Sequence, residues 1–485
     1  MKPRKSFRAV FSTVLCVGLA SFVFSQDENS GASNGEMEKL QEKVSDLNGQ
    51  LKGLEESYLE TMGTVAKLNK IKVSGYVQAQ YRMLMDSAGI MDATGKYAAP
   101  AGDFSGGKFS DGTRGLLHVR RGRFKIAYDN GLAQSAVQLD ATEKGVGIKD
   151  AYLSFTDPWI KSVSLKTGLF DRPFGFEISY SSSSRESPER SRLFQTLFPG
   201  ERDVGAQLQI APNERMGMVS YLNLKGGLFN GVGIGVENDD HKDFIGRLGM
   251  AIPLTDINLA VDAGVSAYIG TVTNTDTTHA SVVRNAANTA DSIVNTRGYS
   301  YEMIAKAFKK SDDEGMLNKT YERQYLGGDI QIYYDVPVIG GFSFRGEYIQ
   351  GKQPGTSSSS GFYNPGRNST SGVYMRNFMG YYFMYVQNLG LKNQLIVKYD
   401  SYDPNTDVEG KDIGNTATTK LSTADLQYST LGLGLVHYWD ENVKVVAYYD
   451  MVSNEKAGFT AADGKEKYND DLNDDVLTVR IQYKF

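Results

Sequence analysis

From about Ile71 to Phe485 the chain alternates apolar and polar residues in stretches of roughly ten, the period of strands whose two faces meet different surroundings. The clearest runs from Ile257 to Ile269. Ile257, Leu259, Val261, Ala263, Val265, Ala267 and Ile269 share one face, and Asn258, Asp262, Ser266 and Tyr268 share the other. Val73, Val77, Ala79 and Tyr81 oppose Ser74, Gln78, Gln80 and Arg82 in the same way, as do Leu326, Ile330, Ile332, Tyr334 and Val336 against Asp329, Gln331, Tyr333 and Asp335. About sixteen such stretches fit, enough for a closed barrel with an aqueous interior. Short links such as Asp129-Asn130-Gly131 and Ile339-Gly340-Gly341 alternate with long polar ones near 84–115, 171–203, 270–323, 351–373, 403–427 and 452–474. Short turns at one rim and long loops at the other predict an up-and-down transmembrane antiparallel β-barrel over 71–485. A soluble β-sandwich alternates too, with its apolar faces turned inward; period alone does not separate the two.

Ahead of the strands the period changes. Leu40, Val44, Leu47, Leu51, Leu54, Tyr58, Val65 and Leu68 follow spacings of four and three, with Thr61 in the weak slot. This is an a/d seam flanked by Glu38, Lys39, Glu42 and Lys43, and it predicts a helix over 36–70. Gly49, Gly53 and Gly63 each cost about 1 kcal/mol relative to alanine, so the helix needs partners. A periplasmic coiled coil between protomers is the preferred expectation; packing on its own barrel is the alternative.

The two ends of the chain separate the membrane reading from the soluble one. Lys2, Arg4, Lys5 and Arg8 precede an apolar run from Val10 to Val23, and Ser25 precedes polar Gln26. That is the order of a secretory signal peptide over 1–25, followed by a polar linker over 26–35. Removing the leader with its four cations lowers the formal charge from −5 to −9, which argues against a nucleic-acid partner. It also removes Cys16, the single cysteine, leaving no thiolate for a disulfide or a metal site. At the other end, Leu477, Val479, Ile481, Tyr483 and Phe485 alternate with Thr478, Arg480, Gln482 and Lys484. Export followed by a terminal aromatic strand points to the outer membrane of a Gram-negative bacterium, with Phe485 as the mark read by its assembly machinery. The 52 Gly, 29 Tyr and 23 Phe suit a large sheet with aromatic girdles.

Candidate chemistry lies in two places. The strand Leu117 to Tyr128 sets Arg121, Arg123 and Lys125 on one face and Phe124, Ile126 and Tyr128 on the other. Cations facing lipid near the midplane would cost roughly 2–4 kcal/mol each, so the ladder faces the lumen. There it either lowers the barrier for anions or is neutralised by Asp140 and Asp150 on neighbouring strands. The link 171–203 carries Arg172, Arg185, Arg190, Arg192 and Arg202 with Glu177, Glu186, Glu189 and Glu201. A loop of that length is a candidate constriction folded into the pore; an outward, solvated loop is the alternative. His118, His241, His279 and His437 are scattered without metal spacing, and no phosphate-cradling loop opens a helix. Neither an enzyme nor a bound metal or cofactor is expected.

The runs Arg120-Arg-Gly-Arg-Phe-Lys-Ile126, Lys149-Asp-Ala-Tyr-Leu-Ser-Phe155 and Thr167-Gly-Leu-Phe-Asp-Arg-Pro-Phe-Gly-Phe-Glu177 resemble the phosphate-selective porin O and P family. Glu189-Arg190, Pro199-Gly-Glu-Arg-Asp-Val-Gly205, Leu431-Gly-Leu-Gly-Leu-Val-His-Tyr-Trp439 and the Tyr-Lys-Phe end extend the resemblance over most of 72–485. It implies a homotrimer of sixteen-stranded barrels, each with a loop in its pore. Arg121, Arg123 and Lys125 match the family's basic conduit, although a central lysine cluster is not matched. The expected function is passive diffusion of small hydrophilic solutes, either without preference or with anions such as phosphate favoured. An envelope tether or adhesin, with the barrel as lipid-embedded anchor, is the alternative.

Overall fold

The structure is a computed structural model and describes residues 33–85, 104–106, 109, 113–274, 282–284, 290–293, 300–310, 319–336, 339–365, 372–414, 416–458, 468–472 and 474–485. The signal-peptide expectation over 1–25 and most of the linker lie outside these residues. Two units are distinguished, up to Asn69 and from Lys70 onward. The first holds one helix, α1, Ser33–Leu68, which begins inside the stretch read as a linker and ends where Asn69 donates to the Val65 carbonyl. Its three glycines do not break it, since each weakens a helix without blocking its geometry. Along α1 the seam residues Leu47, Leu51, Leu54, Tyr58 and Leu68 are exposed. Among the described residues no helix is long and apolar enough to cross a membrane.

The second unit crosses with strands. They are β1 Ile71–Leu84, β2 Gly115–Asp129, β3 Ala133–Thr142, β4 Gly145–Thr156, β5 Val163–Asp171, β6 Arg202–Ile210, β7 Leu222–Phe229 and β8 Asp243–Leu254. There follow β9 Leu259–Thr273, β10 Thr320–Tyr334, β11 Phe342–Gly355, β12 Val373–Leu389, β13 Asn393–Asp403, β14 Tyr428–Tyr438, β15 Val443–Asn454 and β16 Val476–Lys484. Each pairs antiparallel with the next, and β16 pairs with β1 from Tyr76↔Lys484 to Leu84↔Val476, so the sixteen-stranded barrel is closed. Closure leaves no sheet edge unpaired, the condition for a sheet in hydrocarbon.

The turns at the rim where β1 begins follow local chemistry. Asp129 and Asn130 accept the amides of Gly131, Leu132 and Ala133, and Gly131 supplies a φ of 90°. Between β4 and β5 the Asp157 carboxylate gathers backbone amides; that of Val163 above all, with Ile160, Lys161 and Ser162, holds its pKa down at about 2. Ile257, expected in β9, instead closes a 3-10 turn, and Asn258 takes the left-handed conformation at φ 53° that asparagine tolerates better than most residues. Both tryptophans, Trp159 and Trp439, stand exposed at this rim with Tyr483 and Phe485, forming part of an aromatic belt. The opposite rim carries the long links. One of them, 230–242, is not among the long links expected from the sequence.

Outward positions are apolar, as the alternation predicts. Val265 and Ile269 on β9, and Val479 and Ile481 on β16, are exposed in the single chain, while their neighbours Ser266, Tyr268, Thr478 and Arg480 are buried inside. Val265 lies midway along β9, so Val265→Arg is expected to cost roughly 2–4 kcal/mol in denaturant unfolding from lipid vesicles. An unchanged unfolding midpoint would place that face away from hydrocarbon. The inner face departs from expectation on β12. Phe378, Tyr382, Met384 and Val386 all point inward and are buried, so part of the lumen is filled with packed side chains.

Candidate functional site: the inward loop and the basic cavity

The apolar inner wall is covered by the link between β5 and β6. Residues 172–201 touch strands all round the barrel, which a loop can do only from inside. Gly175 donates to Ser266 on β9, and the amides of Phe176 and Glu177 donate to the Glu347 carboxylate on β11. Glu177 accepts Lys398 from β13 at 3.0 Å, and Glu186 accepts both Arg345 Nη atoms from β11 at 2.8 and 3.0 Å. Lys444 on β15 donates to the carbonyls of Ser183 and Arg185. A short helix in the loop, α2 Arg192–Leu197, brings Leu193, Phe194, Leu197 and Phe198 onto Tyr268, Tyr325, Phe378 and Tyr382. Phe198 is the centre of this packing, with ring centroids 5.0 Å from Phe174, 5.8 Å from Phe194, 5.7 Å from Tyr325 and 6.1 Å from Tyr268.

The ladder on β2 meets this loop. The β1–β2 register shifts between Gln78 and Ala79, leaving Arg120 unpaired in the ladder. This bulge turns Arg120 as well as Arg121 toward the lumen, since one extra residue breaks the strict alternation of sides. Both reach Glu189, Arg120 Nε at 2.9 Å and Arg121 Nη2 at 2.7 Å, and Arg480 of β16 reaches the same carboxylate at 2.8 Å. Arg123 pairs with Asp140 at 3.1 Å and donates to Ser182 of the loop. Lys125 is half-buried, 5.8 Å from the Tyr152 ring. Asp150, the other anticipated neutraliser, pairs with Arg202 at the start of β6.

The loop arginines have separate duties. Arg190 bonds Glu201 and the carbonyls of Glu177, Ile178 and Tyr180. Arg185 donates to the carbonyls of Ser187 and Pro188. Arg192 is sandwiched between Phe104 and Tyr428 at 4.1 and 4.2 Å. Arg172 is buried over Phe198.

Between the loop and the wall of β5 to β10 lies a cavity of about 210 Å³. Its charged lining is Lys166, Arg172, Lys225 and Arg247 against Asp171 and Asp262. Lys225 and Arg247 are direct cross-strand partners. Arg247 holds Asp329 at 2.6 and 2.9 Å; Gly249 and Gly264 leave room for its guanidinium, which a Cβ at either would strike. Lys166 lies 3.5 Å from Asp171 and over the rings of Tyr152 and Phe170 at 4.1 and 4.6 Å. None of the three wall cations was singled out from sequence. Each sits at an inward position of an alternating strand, and that was the available signal.

No family model and no curated relative matches the chain. Solved structures do. OprB of Pseudomonas putida matches at 8% identity over 87% of this chain and 96% of its own, with a TM-score of 0.50. An anion-selective porin from Comamonas acidovorans matches at 12% identity over 86% and 99%, with a TM-score of 0.45. OmpT of Vibrio cholerae, solved in a trimer form, matches at 10% identity over 86% and 99%, with a TM-score of 0.44. Such identities speak to architecture alone, and the OprB likeness is the one of the three that carries it. With its closed sheet, apolar exterior and inward loop, the chain has the porin-like β-barrel fold of Gram-negative outer membranes.

Proposed function

We propose that the protein is a water-filled diffusion channel for small hydrophilic solutes that favours anions, phosphate among them. The carrying observation is the cavity inside a closed barrel, with four cations and two carboxylates on its lining. Fixed positive charge on the wall of a narrow aqueous path lowers the barrier for anions and raises it for cations. The resemblance to the phosphate-selective porin O and P family supports the same reading at the β2 ladder. Within it, Arg121 spends its charge on Glu189 of the loop and Arg123 on Asp140 of β3, while Lys125 and the cavity lysines face solute. A homotrimer joined by α1 fits the apolar seam, because Leu47, Leu54, Tyr58 and Leu68 are exposed in a single chain and helix association would cover them.

The test uses purified protein in planar bilayers under a potassium chloride gradient. A reversal potential on the chloride side is expected, and a cation-selective reversal would overturn the anion preference. Deleting residues 27–70 should leave the conductance of each barrel intact while converting cross-linkable trimers to monomers. A full-length protein without conductance would support the anchor-and-tether alternative instead.

A further inference from the structure

The strands bring five charged side chains to the cavity: Lys166, Asp171, Lys225, Arg247 and Asp262. Most of that charge is already answered. Lys166 lies 3.5 Å from Asp171, and Arg247 spends its Nε and Nη2 on Asp329. Arg172 of the loop is buried over the rings of Phe198 and Phe362, beside Asp203. Two charges of opposite sign are left. Lys225 and Asp262 make no ion pair or hydrogen bond among the described residues, and both stand half-buried on the cavity wall. Gln331, the cross-strand partner of Asp262, gives its amide to Asp329 instead. Arg247 joins the two. It is the cross-strand partner of Lys225, and its guanidinium lies over Gly249 and Gly264, the latter one inward position from Asp262 on β9. Lys225 and Asp262 are both within its electrostatic reach. Its Nη1 has no acceptor among the described residues and is open to the cavity.

We infer that this cavity is a binding station for zwitterions, free amino acids or short peptides: the carboxylate held by Arg247 Nη1 with Lys225 behind it, the ammonium held by Asp262. The inference rests on the channel reading and goes beyond its anion preference, which concerns the wall as a whole. A half-buried charge without a partner is poorly solvated, and a solute that supplies the missing charge recovers part of that loss. A zwitterion supplies both at once and leaves the station neutral. A simple anion on Arg247 and Lys225 meets the Asp262 carboxylate beside it, and a simple ammonium ion on Asp262 meets two cations. Each therefore gains at one end what it loses at the other. Gln209, the other cross-strand neighbour of Lys225, adds an amide to the same row. Contacts of this kind are few enough for the solute to pause in a channel and then leave.

The experiment measures interruption of the chloride current through the full-length protein by glycine, triglycine, sodium acetate or ethylammonium chloride at neutral pH. Glycine or triglycine should block at a lower concentration than acetate or ethylammonium, and the stronger of the two tells free amino acids from short peptides. Asp262→Asn should weaken that block roughly tenfold or more, the loss of one charge-assisted bond, without weakening block by acetate. Lys225→Gln should weaken block by the zwitterion and by acetate alike. Neither substitution breaks an ion pair or hydrogen bond among the described residues, so both variants should fold. Acetate blocking as well as the zwitterions, with Asp262→Asn without effect, would overturn the inference in favour of a site that reads carboxylate alone. Ethylammonium blocking as well as they do, with Lys225→Gln without effect, would overturn it from the other side. A conducting channel that none of the four solutes interrupts would also overturn it. A wild-type protein that does not conduct would sink the channel reading itself.

Discussion

Replacing Glu189 by alanine should enlarge the channel and shift its reversal potential further toward chloride. Three arginines, Arg120, Arg121 and Arg480, converge on this one carboxylate, whose side chain is 7% exposed. Removing one partner of a buried ion pair costs about 3–5 kcal/mol, because the charges left behind have neither partner nor water. That cost falls on the loop rather than on the barrel, whose ladder of strand pairs does not pass through Glu189. The loop should leave the wall and water should reach the arginines. Their charge, no longer cancelled, then acts on passing ions. Glu189→Gln should give the same direction with a smaller change, since the amide still accepts hydrogen bonds. Single-channel conductance and zero-current potential read the two effects separately. If both stay at wild-type values in the alanine variant, the loop is not held by this clasp.

Phe198→Ala should free the same loop by a different route. Its ring is 1% exposed and packs on two loop aromatics and on Tyr268 and Tyr325 of the wall. Truncating a buried phenylalanine costs about 3–5 kcal/mol. The expected signature is proteolytic: in the folded barrel, trypsin should cut at Arg185, Arg190 or Arg192, which are buried in the wild type. Phe198→Leu keeps most of the buried volume and should stay resistant. Equal resistance of all three proteins would show that the ion pairs alone hold the loop.

Much of this architecture is legible in the residues taken one strand at a time. On β16, Thr478, Arg480 and Gln482 alternate with Val479, Ile481 and Tyr483, and the two sets do lie inside and outside. The turn at Asn130-Gly131 and the strand carrying Arg121 and Arg123 were equally plain. β12 was harder. Its inward Phe378, Tyr382 and Met384 and its outward Tyr381, Phe383 and Tyr385 make both faces apolar, and no local rule says that a loop nearly two hundred residues earlier in sequence will cover one of them. The ladder shows the same limit. Its inward direction followed from period two, but its main partner, Glu189, lies in a loop whose path no spacing reveals.

The sequence by itself therefore determined the strands, their inside and outside, their approximate number and the helix ahead of them. These depend on each residue's own side of a two-sided ribbon and on the difference between hydrocarbon and water. Only the tertiary structure decided which charges are spent and which remain. Pairing depends on distances across the lumen: Lys398 with Glu177, Arg345 with Glu186 and Arg480 with Glu189 are joined from positions 159 to 291 residues apart in the chain.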